Sequence, residues 1–401
     1  MRIGRRVVRR WTLALLALSS GLLVTPALAA AQDSVASIQA RIEAAQSGAA
    51  TAFDSLTMAE LMQRFRVPGA GIAVIRDFRV HWAKGYGVAD VSSGRPVGTG
   101  TRFQAASISK PVTAMAAMRL VQERKLGLDA DINTVLKSWR VPTSDLTREQ
   151  PVTPRSLMSH TSGANDGFGF PGYAPDAPMP SVVQILNGES PSNVGKVLFA
   201  RPPYQRYKYS GGSVTIMQLA LTDLTGQPFA NLMQATVLGP LGMAQSSFEQ
   251  PPSRAAASGM AWAHDREGRT RDAPWHVYPE QAAAGLWTSP TDLATFVIEV
   301  QNALRGRGKV LNQASAREMI TPVGVGPFAV GLSVGVRGEG WYMSHGGSNW
   351  GFMANIVGHM RKGYGVVVMT NGDNGNALIR QIEARIAAAY GWDTLDKPLP
   401  R

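Results

Sequence analysis

The chain has no cysteine, so it can form no disulfide, no thiolate metal site and no lipid-bearing cysteine, and its fold must rest on a packed core alone. Long apolar runs are nearly as scarce. The one of note, Trp11 to Val24, is broken by Thr12, Ser19, Ser20 and Gly21 and falls short of the roughly 20 residues a spanning helix needs, so no stable membrane anchor is expected. Blocks of one charge are missing too. The 40 Lys and Arg and 28 Asp and Glu give a formal +12, but they stand in singles and pairs, without the patch or stripe of a nucleic-acid binder. The six histidines (His81, His160, His264, His276, His345, His359) show no paired-ligand spacing, and no Gly-rich loop follows a strand in a phosphate-binding pattern. Neither a metal nor a cofactor is expected.

What is present begins with a leader. Arg2, Arg5, Arg6, Arg9 and Arg10 precede the apolar run, and "TPALAAAQD" offers small-residue cleavage sites ending at Ala29 or Ala31. Residues 1–31 read as a signal peptide, which makes the remainder an exported, periplasmic protein. "RRVV" and "RRWT" match twin-arginine export only loosely, so the route stays open. Without those five arginines the charge falls to about +7, on about 370 residues, ample for a single domain over 32–401.

Residues up to Phe65 have helical spacing, with Leu56, Leu61, Met62 and Phe65 on one side. The period then changes. "GIAVIRD" and "RVHWAKGYGVAD" predict a hairpin turning at Asp77-Phe78, and strands return near the other end in "PFAVGLSVGV", "GWYMSHG", "GFMANIVG" and "GYGVVVMTN", closed by the helix "NALIRQIEARIAAAYG". Between them the patterns are helical, separated by long loops such as "GANDGFGFPGYAPDAPMPS". This predicts an α/β (α+β) fold: an antiparallel sheet drawn from both chain ends, about 32–104 and 320–401, flanked by helices, with a mostly helical region inserted at about 105–310.

The candidate chemistry lies in "FQAASISKPVTAMA". Pro111 lacks an N–H and is tolerated only in a first turn, which puts the helix start close to Ser107. Residues three apart share a helix face, so Lys110 can reach Ser107, and the positive helix end favours the neutral amine that accepts a proton. Lys110 is the only lysine with a serine three residues earlier. Composition alone supplies roughly 0.65 such matches, so the motif needs support from other segments.

That support is an ordered set of segments: "VPGAGIAVIRD", "FQAASISKP", "LMSHTSG", "YKYSGGS", "LGPLGMAQSSF", "AAAGLWTSPTDLATF" and "SHGGSNWGF". In this order they resemble the serine β-lactamase and penicillin-binding superfamily, in particular its branch of class C β-lactamases, serine DD-peptidases and β-lactamase-like esterases. The resemblance implies a β-lactamase/transpeptidase-like fold with Ser107 as acylated nucleophile and Lys110 as its proton acceptor or electrostatic partner. It makes Tyr209 a proton shuttle whose pKa falls by about three units, helped by Lys110 and His345 as cations. It places His345 at the site's rim, to polarise Tyr209 or meet a substrate carboxylate. The N–H groups of Ser107 and Ser348 would form an oxyanion hole, and Gly346 and Gly347 would leave a strand edge bare for substrate backbone. His160 is assigned to structure, as part of a local turn with Thr161 and Ser162.

Two departures bear on the substrate. Gly211 stands where the family often has an Asn that grips the acyl side chain, and His345-Gly346-Gly347 replaces Lys-Thr-Gly. The expected function is an exported serine hydrolase of small-molecule substrates, with β-lactams first. D-Ala-D-Ala or other D-amino-acid peptides come next, then esters, and the non-enzyme alternative is a peptidoglycan-sensing binding protein. Oligomeric state is left open.

Overall fold

The computed structural model describes residues 34–46, 51–166, 169–338 and 340–392, so the leader assigned to 1–31 lies outside the described residues. Helices α1 (Val35–Glu43) and α2 (Met58–Phe65) come first. The start of α2 follows from its sequence: the Thr57 hydroxyl accepts from the Glu60 N–H while the Glu60 carboxylate accepts from the Thr57 N–H, satisfying two donors that the helix leaves free. Strands β1 (Gly69–Arg76) and β2 (Arg79–Asp90) follow, joined through Asp77 and Phe78 at φ 54° and 59°. Two positive φ values make the mirror-image turn whose twist suits a hairpin.

After β3 (Arg95–Pro96) and β4 (Phe103–Gln104), a 3-10 turn at Ala106–Ile108 leads into α3 (Ser109–Gln122). The middle of the chain supplies α4 (Gly211–Thr225), α5 (Gln281–Ala284), β5 (Trp287–Thr288) and α6 (Pro290–Leu304). The chain then returns to β6 (Ser333–Arg337), β7 (Gly340–Asn349), β8 (Phe352–His359) and β9 (Gly365–Thr370), and ends its described part in α7 (Gly375–Tyr390).

Seven strands form one sheet in the order β3-β2-β1-β9-β8-β7-β6, every neighbouring pair antiparallel. The two chain ends meet at β1 and β9, where Ile72 lies opposite Val368. Both strands are buried on both faces, which is why "GIAVI" and "VVVM" read as apolar runs without alternation. One face packs Ile72, Val74 and Val368 against Ile42, Leu61, Leu378 and Ile382 of α1, α2 and α7. The other packs Ala73, Ile75, Val367 and Met369 toward Phe296 and Val297 of α6 and the helical region. Each fully buried Leu or Ile contributes about 1.5–3 kcal/mol, so the sheet is held from both sides.

Two boundaries differ from the sequence reading. Helix α6, placed there within the helical insertion, packs directly on β1, β8 and β9. "PFAVGLSVGV" is strand only from Ser333, because Pro327 cannot donate to a ladder and Gly331 turns the chain at φ 87°. Among the described residues no helix is long and apolar enough to cross a membrane.

Candidate active site

Ser107 sits in the turn between β4 and α3. The residue before it, Ala106, has φ 50°, a left-handed conformation that costs an alanine about 1 kcal/mol or more and marks a turn held by its surroundings. Ser109 supplies part of that hold: its hydroxyl donates to Ala106 O at 2.6 Å and accepts from the Leu286 N–H at 3.0 Å. Ser107 stays partly exposed while Lys110 is buried. The Lys110 Nζ lies 3.1 Å from Ser107 Oγ and 2.8 Å from Ala283 O, so the three-residue spacing does bring amine and hydroxyl together.

Burial pulls the Lys110 pKa from 10.5 to about 7, against an opposing pull from the Asp166 carboxylate. Loss of water is the cause, where the sequence reading had credited the helix end. A lysine with this pKa is a free amine about half the time at neutral pH and can accept the Ser107 proton.

Tyr209 completes the group, with the Lys110 Nζ 5.1 Å from its ring centre and its phenol hydrogen-bonded to Ser107. Its pKa is raised, not lowered: burial pushes it above the usual 10 by more than the Ser107 hydrogen bond brings it down. The phenol is therefore protonated near neutral pH, a donor and not a base. The second expected cation is also missing. His345 is 4% exposed and so lies within the packed interior, away from any rim. Burial first, and the Lys110 charge second, lower its pKa to about 3, which leaves a neutral ring. Its Nδ1–H donates to Gly346 O at 2.7 Å, so Nε2 is a buried acceptor with no hydrogen-bond partner among the described residues.

Strand β7 passes this group on its way to β8. Its pairing with β6 ends at Ser344, so from His345 to Asn349 no strand lies on that edge among the described residues. Gly347 is needed for a reason other than the one expected: a Cβ there would stand 2.2 Å from Ala105 O, so only glycine lets the strand pass the nucleophile turn. Gly346 has the open position, with nothing nearer than 3.8 Å to an added Cβ, and Ser348 is exposed beside it. The end of β7 is tied down by groups the sequence reading did not single out. Asn349 Nδ2 donates to Gln104 Oε1 at 2.8 Å and Ala284 O at 3.1 Å, and the Trp350 N–H donates to the Tyr278 hydroxyl at 3.0 Å. Ala284 adjoins Ala283, the Lys110 acceptor, so strand and lysine share one support.

On the other side, Gly211 opens α4 and is buried. Ser210 caps that helix, and Asp166 accepts from the Ser210 hydroxyl at 2.5 Å and the Gly212 N–H at 2.7 Å. A Cβ at 211 would stand 2.7 Å from the Phe170 ring, so the space of a side chain at this position is filled by an aromatic from a distant loop. Gly211 itself offers substrate no polar group. Restoring the family's residue with Gly211→Asn is expected to lower kcat/KM at least about tenfold through this clash. Adding Phe170→Ala should recover most of the loss; steady-state kinetics on both variants and melting curves check it.

His160, read as a turn residue, does take a turn conformation (φ 59°), but its ring also lies against Tyr209, centroids 4.1 Å apart. Among the described residues no group of three or more His, Asp or Glu is placed to hold a metal.

A family model described as Beta-lactamase matches residues 56–390. Protein flp of Staphylococcus aureus (strain N315) is 23% identical over 317 residues, which cover 77% of this chain and 61% of that protein. Unguisins hydrolase ungD of Aspergillus violaceofuscus is 26% identical over 356 residues, covering 78% of this chain and 59% of the relative. The chain thus spans about three fifths of the length of these curated relatives. Among solved structures, SurE with D-Leu superposes with a TM-score of 0.65 at 25% identity, covering 86% of this chain and 76% of that one.

Proposed function

The chain belongs to the beta-lactamase family, and from that premise we propose that it is a serine hydrolase that cleaves amide or peptide bonds next to a D-configured residue through an acyl-enzyme on Ser107. The contact of the Lys110 amine with Ser107 Oγ at 3.1 Å carries this reading. Lys110 as free amine takes the Ser107 proton while Oγ attacks the carbonyl carbon. The N–H groups of Ser107 and Ser348 receive the oxyanion, a role supported by the close passage of β7 at Gly347. As the C–N bond breaks, Tyr209 gives its phenolic proton to the departing nitrogen and regains one from the Lys110 ammonium. Water then attacks the ester, its proton passing to Lys110, and Ser107 leaves reprotonated.

The preference for peptides over β-lactams rests on charge. A β-lactam carboxylate, like the C-terminal carboxylate of a carboxypeptidase substrate, needs a standing cation, and His345 is neutral with an unused acceptor at Nε2. The open edge of β7 beyond Ser344 suits an extended backbone laid beside it as an added strand. The D-configuration is supported by the D-Leu held in the similar SurE structure. β-Lactams remain the second reading, favoured by the acylating set of Ser107, Lys110 and Tyr209.

The test compares D- and L-leucine p-nitroanilides and benzylpenicillin. The expected result is a kcat/KM at least about 100-fold higher for the D-anilide than for the L-anilide, with penicillin slower still. Penicillin turned over faster than either anilide would reverse the ranking. The pH dependence follows from Lys110. Because its pKa in the fold is about 7, acylation is expected to rise about tenfold per unit up to pH 7 and level off above about pH 8. A rate flat from pH 5 to 8 would remove Lys110 as the base.

A further inference from the structure

We infer that His160 is a positioning residue that holds the Tyr209 phenol in line for proton transfer, gripping it through the backbone on both sides and through ring contact. The inference rests on the reading of Tyr209 as proton donor. The backbone evidence is symmetrical about the tyrosine. The N–H of Lys208, just before it, donates to His160 O at 2.9 Å, and the N–H of Ser210, just after it, donates to His160 Nδ1 at 3.2 Å. One residue thus accepts from both neighbours of Tyr209.

The side chain then covers the tyrosine's face at 4.1 Å between ring centres, tilted by 32°. Phe328 closes the packing from behind, 4.9 Å from His160, 5.9 Å from Tyr209 and 5.6 Å from His345. The left-handed φ of 59° turns the His160 carbonyl and ring toward the same segment, and Thr161 O, next in the chain, accepts from the Tyr204 N–H. A turn residue needed only for chain reversal requires none of these contacts.

The protonation state fits the role. To accept from Ser210 the ring must carry its proton on Nε2 and stay uncharged, and burial, then the Lys110 charge, hold its pKa well below the ordinary 6.5. His160 is therefore a fixed acceptor and shuttles no proton. Two torsions, χ1 and χ2, set where the phenol lies, and a misplacement of about 1 Å in a reacting group costs on the order of 100-fold.

A leaving-group comparison tests this. p-Nitrophenyl butyrate releases a phenolate stable near neutral pH, whereas ethyl butyrate releases an alkoxide that must be protonated, so only the second depends on a well-placed acid. His160→Asn keeps an acceptor oxygen and tolerates left-handed φ while removing the ring. It is expected to slow kcat on ethyl butyrate about 30-fold with KM changed less than about threefold, and p-nitrophenyl butyrate less than about threefold. In a Tyr209→Phe background the same substitution should cost nothing further on ethyl butyrate. Equal losses on the two esters, or the same loss with Tyr209 already replaced, would overturn the inference alone. Tyr209→Phe hydrolysing ethyl butyrate at the wild-type rate would instead sink the proton-donor reading, and the inference with it. Should His160→Asn fail to fold, His160→Gln carries the same cycle.

Discussion

Ser107→Ala is expected to lower turnover by about 10⁴-fold or more on every substrate the protein accepts, while its melting temperature stays within a few degrees of wild type. The kinetic loss is large because the acyl-enzyme needs a nucleophilic oxygen, and the Ser107 hydroxyl is the one held 3.1 Å from the Lys110 amine in the nucleophile turn. The stability change is small because Ser107 is partly exposed and its hydroxyl contributes only the hydrogen bonds to Lys110 and Tyr209, about 1 kcal/mol each net. Side by side, kcat and thermal melts separate the two effects. A variant that melts as wild type and keeps more than about a hundredth of the activity would mean that another group is acylated.

Lys110→Met is expected to abolish activity to a similar degree and to make the fold more stable. The sign follows from linkage. Lys110 has its pKa lowered from 10.5 to about 7 in the fold, so between those values the unfolded chain binds a proton that the folded chain does not, and wild-type stability rises with pH. Below about pH 7 the lysine is charged in both states and the full cost of burying the charge is present. That cost is about 5 kcal/mol from the size of the shift. Leaving Ala283 O without its donor offsets about 1–3 kcal/mol of the gain. The net expectation is about 2 kcal/mol more stability for Lys110→Met at pH 6, shrinking toward zero above about pH 9. Urea titrations at the two pH values check it. A variant less stable than wild type at pH 6 would mean that the buried amine is well solvated or paired.

Much of this was legible in the amino-acid order, for physical reasons that differ from element to element. The hairpin at Asp77-Phe78 and the strands around "GYGVVVMTN" announce themselves because two-sided burial demands unbroken β-branched and apolar runs. Pro111 dates the start of α3 to within two residues because proline is confined to a first turn. Ser107 and Lys110 meet because spacing along one turn is a local property.

What the sequence concealed is what distance in the chain conceals. Ala283 contributes only its carbonyl to Lys110, and no side chain advertises a backbone acceptor. Phe170 fills the space at Gly211 from 41 positions away, so a missing Asn reads as a gap when the space is in fact closed. The signs of the pKa shifts depend on burial, which motif spacing does not reveal: Tyr209 and His345 were expected to be a lowered phenol and a rim cation, and burial makes them a protonated phenol and a neutral ring. "HTSG" was explained by its own turn, and the ring of His160 against Tyr209 appears only once residues 160 and 209 are brought together.

The central claim is that Ser107 carries the acyl group, and intact mass against time after mixing with p-nitrophenyl butyrate tests it most directly. The account predicts a single butyryl adduct that forms and decays in wild type, maps by peptide analysis to Ser107, and is absent from Ser107→Ala. Hydrolysis with no adduct at any pH, or an adduct of the same mass on Ser107→Ala, would contradict it.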